Sequence, residues 1–227
     1  MSGRHGKKYK TMAEKLPSGK VALPEAVKTL KGLPPARFDQ TVEIVMHLGI
    51  DPKQADQALR GALSLPHGIG RQRKVIAFCD GGDVEKAKAA GAIEAGADDL
   101  IKKVQDGWTD FDVAVSTPAM MRSVSRLGRV LGPQGKMPSP KSGTVVDDVA
   151  QGVKEYAAGK VEFRNDDGGN IHAVVGRLSF EEQQLVENVE AFCKHIRRLR
   201  PATAKGTYIQ KVCLSATMSP SVELDVA

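Results

Sequence analysis

Apolar and polar residues alternate near both ends of the chain, and the pattern lapses in between. Phe38, Val42, Ile44, Met46 and Leu48 share one side of an extended segment, with Asp39, Thr41, Glu43 and His47 mostly on the other. The two-fold pattern returns in Val161-Glu-Phe-Arg164, in Ile171-His-Ala-Val-Val175 and over 206–218. Period two marks strands with one buried face. The middle of the chain reads differently: the short apolar runs 74–79 and 111–116 are separated by helical segments at 83–90, 97–104, 118–127 and 147–158. Strands buried between helical layers need that texture. The expected fold is therefore mixed α/β and α+β, in two domains. Residues 1–68 and 159–227 form a discontinuous α+β domain, and 69–158 an inserted three-layer, Rossmann-like α/β domain.

Smaller signals fill in the outer domain. Leu23-Pro24-Glu25 opens a short helix that Gly32 and Pro34 end. A polar helix over 52–59 and a strand over 62–65 follow. Asn165-Asp-Asp-Gly-Gly169 is turn chemistry and predicts a hairpin between the strands that flank it. A long amphipathic helix over 180–199 ends in Lys194, Arg197 and Arg198, cations that suit a helix C-terminus.

Charge narrows the function. The chain has 227 residues and a net charge of +6, and its cations cluster. Arg4, Lys7, Lys8, Lys10, Lys15 and Lys20 share the first twenty residues with Glu14 alone. Arg122, Arg126, Arg129, Lys136 and Lys141 lie in a glycine- and proline-broken loop centred on LGRVLGPQGKMPSPK, where 119–143 hold no acid. Residues 191–211 add Lys194, Arg197, Arg198, Arg200, Lys205 and Lys211, again without an acid. Clustered cations suit a polyanionic partner. No apolar run reaches the length of about eighteen that a membrane helix needs, and MSGRHGKKYKTMAEKL has no apolar core of a secretion signal, so the expected compartment is the cytoplasm. Cys79, Cys193 and Cys213 are far apart, which suggests neither disulfides nor a metal site.

Motifs for catalysis are missing. Gly135-Lys136 has Val130 where a P-loop needs its first glycine and Met137 where it needs Ser or Thr. Asp80-Gly-Gly-Asp83 puts acids where a dinucleotide pyrophosphate would lie. The five histidines are scattered, and the paired aspartates at 98–99, 147–148 and 166–167 are adjacent, so their carboxylates diverge. The reading is a non-enzyme without cofactor or metal. Two alternatives stand beside it: an enzyme acting on a nucleotide or phosphate metabolite, and a structural module for acidic proteins.

The two ends of the chain offer binding chemistry instead. Arg37-Phe38-Asp39-Gln40-Thr41-Val42-Glu43 brings a cation, a ring and short polar groups to a strand entrance, and Ser215-Ala-Thr217-Met218-Ser219 ends the last strand in hydroxyls. If these strands are neighbours, their ends form a platform for sugar hydroxyls and phosphates.

LGRVLGPQGKMPSPKSGTV resembles the signature of the large-subunit ribosomal protein L-one family in its bacterial form. FDQTVEIVMHLGIDP, RGALSLPHGIG, VEFRND, AKGTYIQKV and TMSP resemble further blocks of that family in the same order. The resemblance implies a ribosomal protein, monomeric outside the ribosome, that binds a 23S ribosomal RNA stem at the mobile stalk. It also implies help to deacylated tRNA leaving the E site and repression of the protein's own operon mRNA. Carried onto this sequence, the RNA-binding residues are Arg37, Phe38, Thr41, Glu43, Arg164, Thr217 and Met218. Lys205, Lys211, Ser215 and Ser219 join them as candidates, and Arg129, Lys136 and Lys141 are secondary RNA- or tRNA-contacting residues. Two departures stand out: Ser219 follows Thr-Met where the family usually has glycine, and Lys136 stands where Leu or Met is frequent.

Overall fold

The computed structural model describes residues 6–17, 19–34 and 36–225; Arg4 of the first basic block lies outside them. Two compact units emerge, Met1–Gly70 with Phe163–Ala227, and Arg71–Glu162.

In chain order, helices α1 (Lys7–Ala13) and α2 (Leu23–Lys31) precede strands β1 (Thr41–Leu48) and β2 (Arg60–Leu63). Then come β3 (Val75–Phe78), α3 (Gly82–Ala89), β4 (Glu94–Gly96), α4 (Asp98–Gln105), β5 (Val113–Ser116), α5 (Met121–Val124), α6 (Gly128–Leu131) and α7 (Val149–Ala157). The last stretch holds β6 (Val161–Arg164), β7 (Asn170–Arg177), α8 (Glu182–Arg198), β8 (Ile209–Ala216) and β9 (Val222–Leu224).

The first unit is built on a four-stranded sheet in the order β7-β1-β8-β9, antiparallel throughout. Alternation along β1 buries Val42, Ile44, Met46 and Leu48 almost completely, and β8 buries Val212, Leu214 and Ala216 on the same side. Against that side pack α2, through Ala26, Val27 and Leu30, and α8, through Leu185, Val189, Phe192 and Ile196. Each buried Val, Leu, Ile, Met or Phe side chain contributes about 1.5–3 kcal/mol. Helix α8 starts with a capping box in which Glu181 and Gln184 each bond the other's backbone N–H, which sets its entry two residues after Phe180. Its one buried polar group, Asn188, donates to the carbonyls of Gly68 (3.0 Å) and Val175 (2.8 Å) and accepts from His67 N–H (3.1 Å).

In the second unit a parallel sheet in the order β4-β3-β5 is covered on both faces. Ile76, Phe78 and Ala114 point into a cluster with α4, α5 and α6, while Val75, Ala77, Val113 and Val115 meet Ala87 of α3 and Val149, Val153 and Tyr156 of α7. Asp148 caps α7 by accepting from Ala150 N–H (3.0 Å) and Gln151 N–H (3.2 Å).

Several elements differ from the sequence reading. The 165–169 turn forms, with Asp166 N–H bonded to the Asn170 carbonyl (2.8 Å), but it does not join a hairpin. Asn165 exchanges bonds with Leu59 instead, through its N–H (3.0 Å) and its Oδ1 (2.8 Å); β6 pairs with β2, and the bridge from Asn165 to Ile171 of β7 is an isolated one. The 118–127 helix is broken into α5 and a 3-10 turn at Ser125–Leu127. The basic loop is not structureless at its start, since Gly128–Leu131 is helical, and Pro140–Ser142 is another 3-10 turn. The helix expected at 83–90 begins one residue earlier, with Gly81 at its N-cap and Asp83 in its first turn. The 52–59 helix shrinks to a 3-10 turn at Ala55–Gln57, and β4 and β9 are short strands that the sequence pattern did not mark.

Candidate nucleic-acid interface

Register brings the two candidate segments together. Val42 faces Ala216 and Glu43 faces Ser215, so the entrance of β1 and the exit of β8 form one rim. Thr41 N–H donates to Thr217 Oγ1 (3.1 Å), Thr217 N–H returns a bond to the Thr41 carbonyl (3.1 Å), and the Thr217 hydroxyl lies 3.3 Å from that carbonyl. Gln40 locks the next step. Its side chain is 5% exposed, and Oε1 accepts from Met218 N–H (3.0 Å) while its carbonyl accepts from Leu178 N–H (2.9 Å).

Gln40 also explains a misplacement. Counting back from Val42 in steps of two puts Gln40 and Phe38 on the inner side, but the strand begins only at Thr41. The chain bends before it, held by Asp39, whose carboxylate accepts from Ser179 N–H (3.1 Å) and Oγ (2.8 Å) and whose carbonyl accepts from Arg177 (2.9 Å). Phe38 is thereby turned outward, 54% exposed, and is not a core residue. Met218, across the rim, is 61% exposed. Exposed apolar groups of this size next to polar ones mark contact surfaces.

The β1–β7 pairing slips between Val42 and Glu43, leaving Val175 as the extra residue of a bulge. Bulges re-aim neighbouring side chains. Glu43 and Ser215 sit together on the half-exposed face, and Arg37 is exposed. Ser219 needs no glycine conformation: its hydroxyl accepts from Ala216 N–H (2.9 Å) and lies within bonding distance of the Ala216 and Pro220 carbonyls, so it is engaged inside the turn.

Arg164, Lys205 and Lys211 lie elsewhere. Lys211 faces His47, six positions along β1 from Thr41, or about 20 Å at strand rise. It pairs with Glu223 (2.9 Å), a hydrogen bond that raises its pKa. Lys205 precedes β8 beyond that same end, and Arg164 adjoins Asn165, which bridges Ile171 opposite Met46. In the second unit Arg129 and Lys141 are exposed, whereas Lys136 donates to the Thr109 carbonyl (2.9 Å) with its ammonium 5.1 Å from the Phe111 ring. The loop around them is rigid by construction. Gly135 and Gly143 take left-handed φ of 68° and 69°, Ser139 and Thr144 bond each other, and the buried Tyr156 hydroxyl donates to the Ser142 carbonyl (2.8 Å).

Gln40 and Asp39 are the positioning residues that the sequence reading missed. A polar residue at an inward-facing strand position was the available signal for Gln40. Among the described residues, no group of three or more His, Cys, Asp or Glu is arranged to hold a metal, and no helix is long and apolar enough to cross a membrane.

Comparison with known proteins bears on the whole chain. Proteins named large ribosomal subunit protein uL1 align with it almost end to end. That of Lactobacillus acidophilus is 51% identical over 223 residues, covering 98% of this chain and 97% of the relative. That of Thermobifida fusca is 46% identical over 223 residues, with 98% and 95% covered. The relative from Kosmotoga olearia is 51% identical over 201 residues, with 88% and 87% covered. Residues 27–220, which include β1, the basic loop and the rim at 215–219, match one family model. With that span and those identities, the chain belongs to the ribosomal protein L1p/L10e family.

Proposed function

We propose that this chain is a structural, non-enzymatic RNA-binding protein of the large ribosomal subunit, in the cytoplasm. It grips a 23S ribosomal RNA stem with the rim at Arg37, Phe38, Thr41, Glu43, Ser215, Thr217 and Met218. The observation that carries this reading is the hydrogen-bonded junction of Thr41 with Thr217, which unites hydroxyls, an aromatic ring and a cation from opposite ends of the sequence. Hydroxyls and backbone groups in fixed register suit the 2′-OH and phosphates of RNA. The discontinuous domain, 1–68 with 159–227, is then the binding body. The inserted domain at 69–158 presents Arg129 and Lys141 for secondary contact with RNA or with tRNA leaving the E site. Repression of the operon mRNA follows if that message carries a stem of the same shape.

Arg164, Lys205 and Lys211 act in this scheme as long-range attraction, because cations remote from the rim still release counterions from a polyanion. Filter binding of ribosomal RNA fragments and of random RNA at two salt concentrations tests the proposal. Both affinities fall as salt rises, and a preference for one stem persists at the higher salt. Equal affinity for all RNAs at both salts refutes it.

A further inference from the structure

A groove on the first unit opens beside the rim, with a volume of about 1010 Å³. That is at the upper end of the range for sites that enclose small molecules. Its floor is apolar, from Met12, Leu30, Leu33 and Leu178. Two aromatic rings, Tyr9 and Phe38, line it together with Met218. Its cations are Lys7 and Lys8 of α1 and Arg37, all exposed, and none of its described lining residues is acidic. Only four large apolar side chains are exposed among the described residues, and two of them, Phe38 and Met218, face this groove.

We infer that the groove receives an unpaired nucleobase of the bound RNA, stacked on Phe38, with the phosphates on either side of it held by Lys7, Lys8 and Arg37. Three features point to this occupant. A base offers a flat apolar face and its flanking phosphates offer negative charge, which is the combination that rings and cations without acids select. The groove shares Arg37, Phe38, Met218 and Ser219 with the rim, so an RNA strand on the rim reaches it without leaving the surface. An apolar protein segment would match the floor but would leave three cations without a partner. The inference rests on the RNA-binding reading and adds to it a second kind of contact, through a base rather than through the sugar–phosphate chain.

The test uses the full chain and a ribosomal RNA stem carrying 2-aminopurine at one unpaired purine at a time, alongside a version of the stem with every base paired. Phe38→Leu keeps an apolar side chain and removes the ring; Lys7→Gln with Lys8→Gln removes surface charge only. For the wild-type chain, the fluorescence of one position changes on binding. Phe38→Leu abolishes that change and lowers affinity for the unpaired-base RNA about tenfold, a several-fold larger loss than the one it causes on the fully paired stem, where the ring serves only as part of the rim. The lysine pair lowers the salt dependence for both RNAs, and more for the unpaired-base RNA. The inference is overturned if no position responds, or if Phe38→Leu affects both RNAs alike or neither. If the wild-type chain does not prefer either stem over random RNA, the RNA-binding reading falls as well.

Discussion

Thr217→Ala isolates the junction on which the rim depends. A threonine hydroxyl has one donor and two acceptor positions. Thr41 N–H occupies one acceptor (3.1 Å), and the hydroxyl proton has the Thr41 carbonyl within reach (3.3 Å), which leaves one lone pair facing solvent. That lone pair accepts from a donor, and among RNA backbone groups only the 2′-OH can donate. A net hydrogen bond is worth about 0.5–1.5 kcal/mol, so losing it weakens binding to the cognate stem by roughly two- to tenfold. Loss of the strand-end bond costs folding stability by a similar amount, about 1 kcal/mol, because Thr41 N–H is near water and finds a new partner. Filter binding to cognate and random RNA, with urea unfolding in parallel, measures both. Thr217→Ser restores the stem affinity. A 2′-deoxy substitution at the contacted sugar reproduces the loss for the wild-type chain and adds nothing to it in Thr217→Ala. Equal losses on cognate and random RNA, or additive effects of the two changes, refute the argument.

Other perturbations follow from the same contacts. Asn188→Leu strips three hydrogen bonds from a fully buried site and leaves the Val175 carbonyl without its donor; urea unfolding should show a loss of about 3 kcal/mol. Tyr156→Phe removes the hydrogen bond to the Ser142 carbonyl and should raise amide exchange across 139–144, with about 1 kcal/mol lost. Asp110, Glu155, Asp166 and Glu187 are held below the usual carboxylate range by hydrogen bonds from Lys74, Lys160, Asn170 and His67 respectively. They bind protons less tightly folded than unfolded, so their contribution is present above about pH 4 and fades as pH drops through their lower folded values. Tm measured from pH 6 down to 2 should therefore decline below about 4, and a flat profile contradicts the ion pairs. Burial raises the pKa of all three thiols, that of Cys193 to about 11, so mass spectrometry after alkylation at pH 8 should find Cys79 unmodified until the chain unfolds.

Alternation alone was enough to read β1 and most of β8, because a half-buried strand writes its two faces into the sequence. Pairing was not readable. Nothing in Val161–Arg164 says that Asn165 will exchange bonds with Leu59 more than a hundred positions earlier and draw β6 away from β7. Glu94–Gly96 is too short to carry a period. At the site, Thr41, Glu43, Ser215 and Thr217 were legible once two strand ends were set side by side, whereas Phe38 was placed on the wrong side because Asp39 and Gln40 bend the chain ahead of the strand. Lys205 and Lys211 were chosen for their charge, and charge carries no address.

Because β1 lies between β7 and β8, the ribosome makes it long before either neighbour exists. During synthesis Thr41 waits, its strand unflanked, through nearly all of elongation, and the proposed grip on RNA, which needs the Thr41–Thr217 junction, cannot assemble until residue 217 has emerged. If the rim is the grip on RNA, an unfinished copy is kept from occupying a nascent subunit. A chain stopped after Lys211, lacking Ser215 and Thr217, should retain no stem preference in the filter assay.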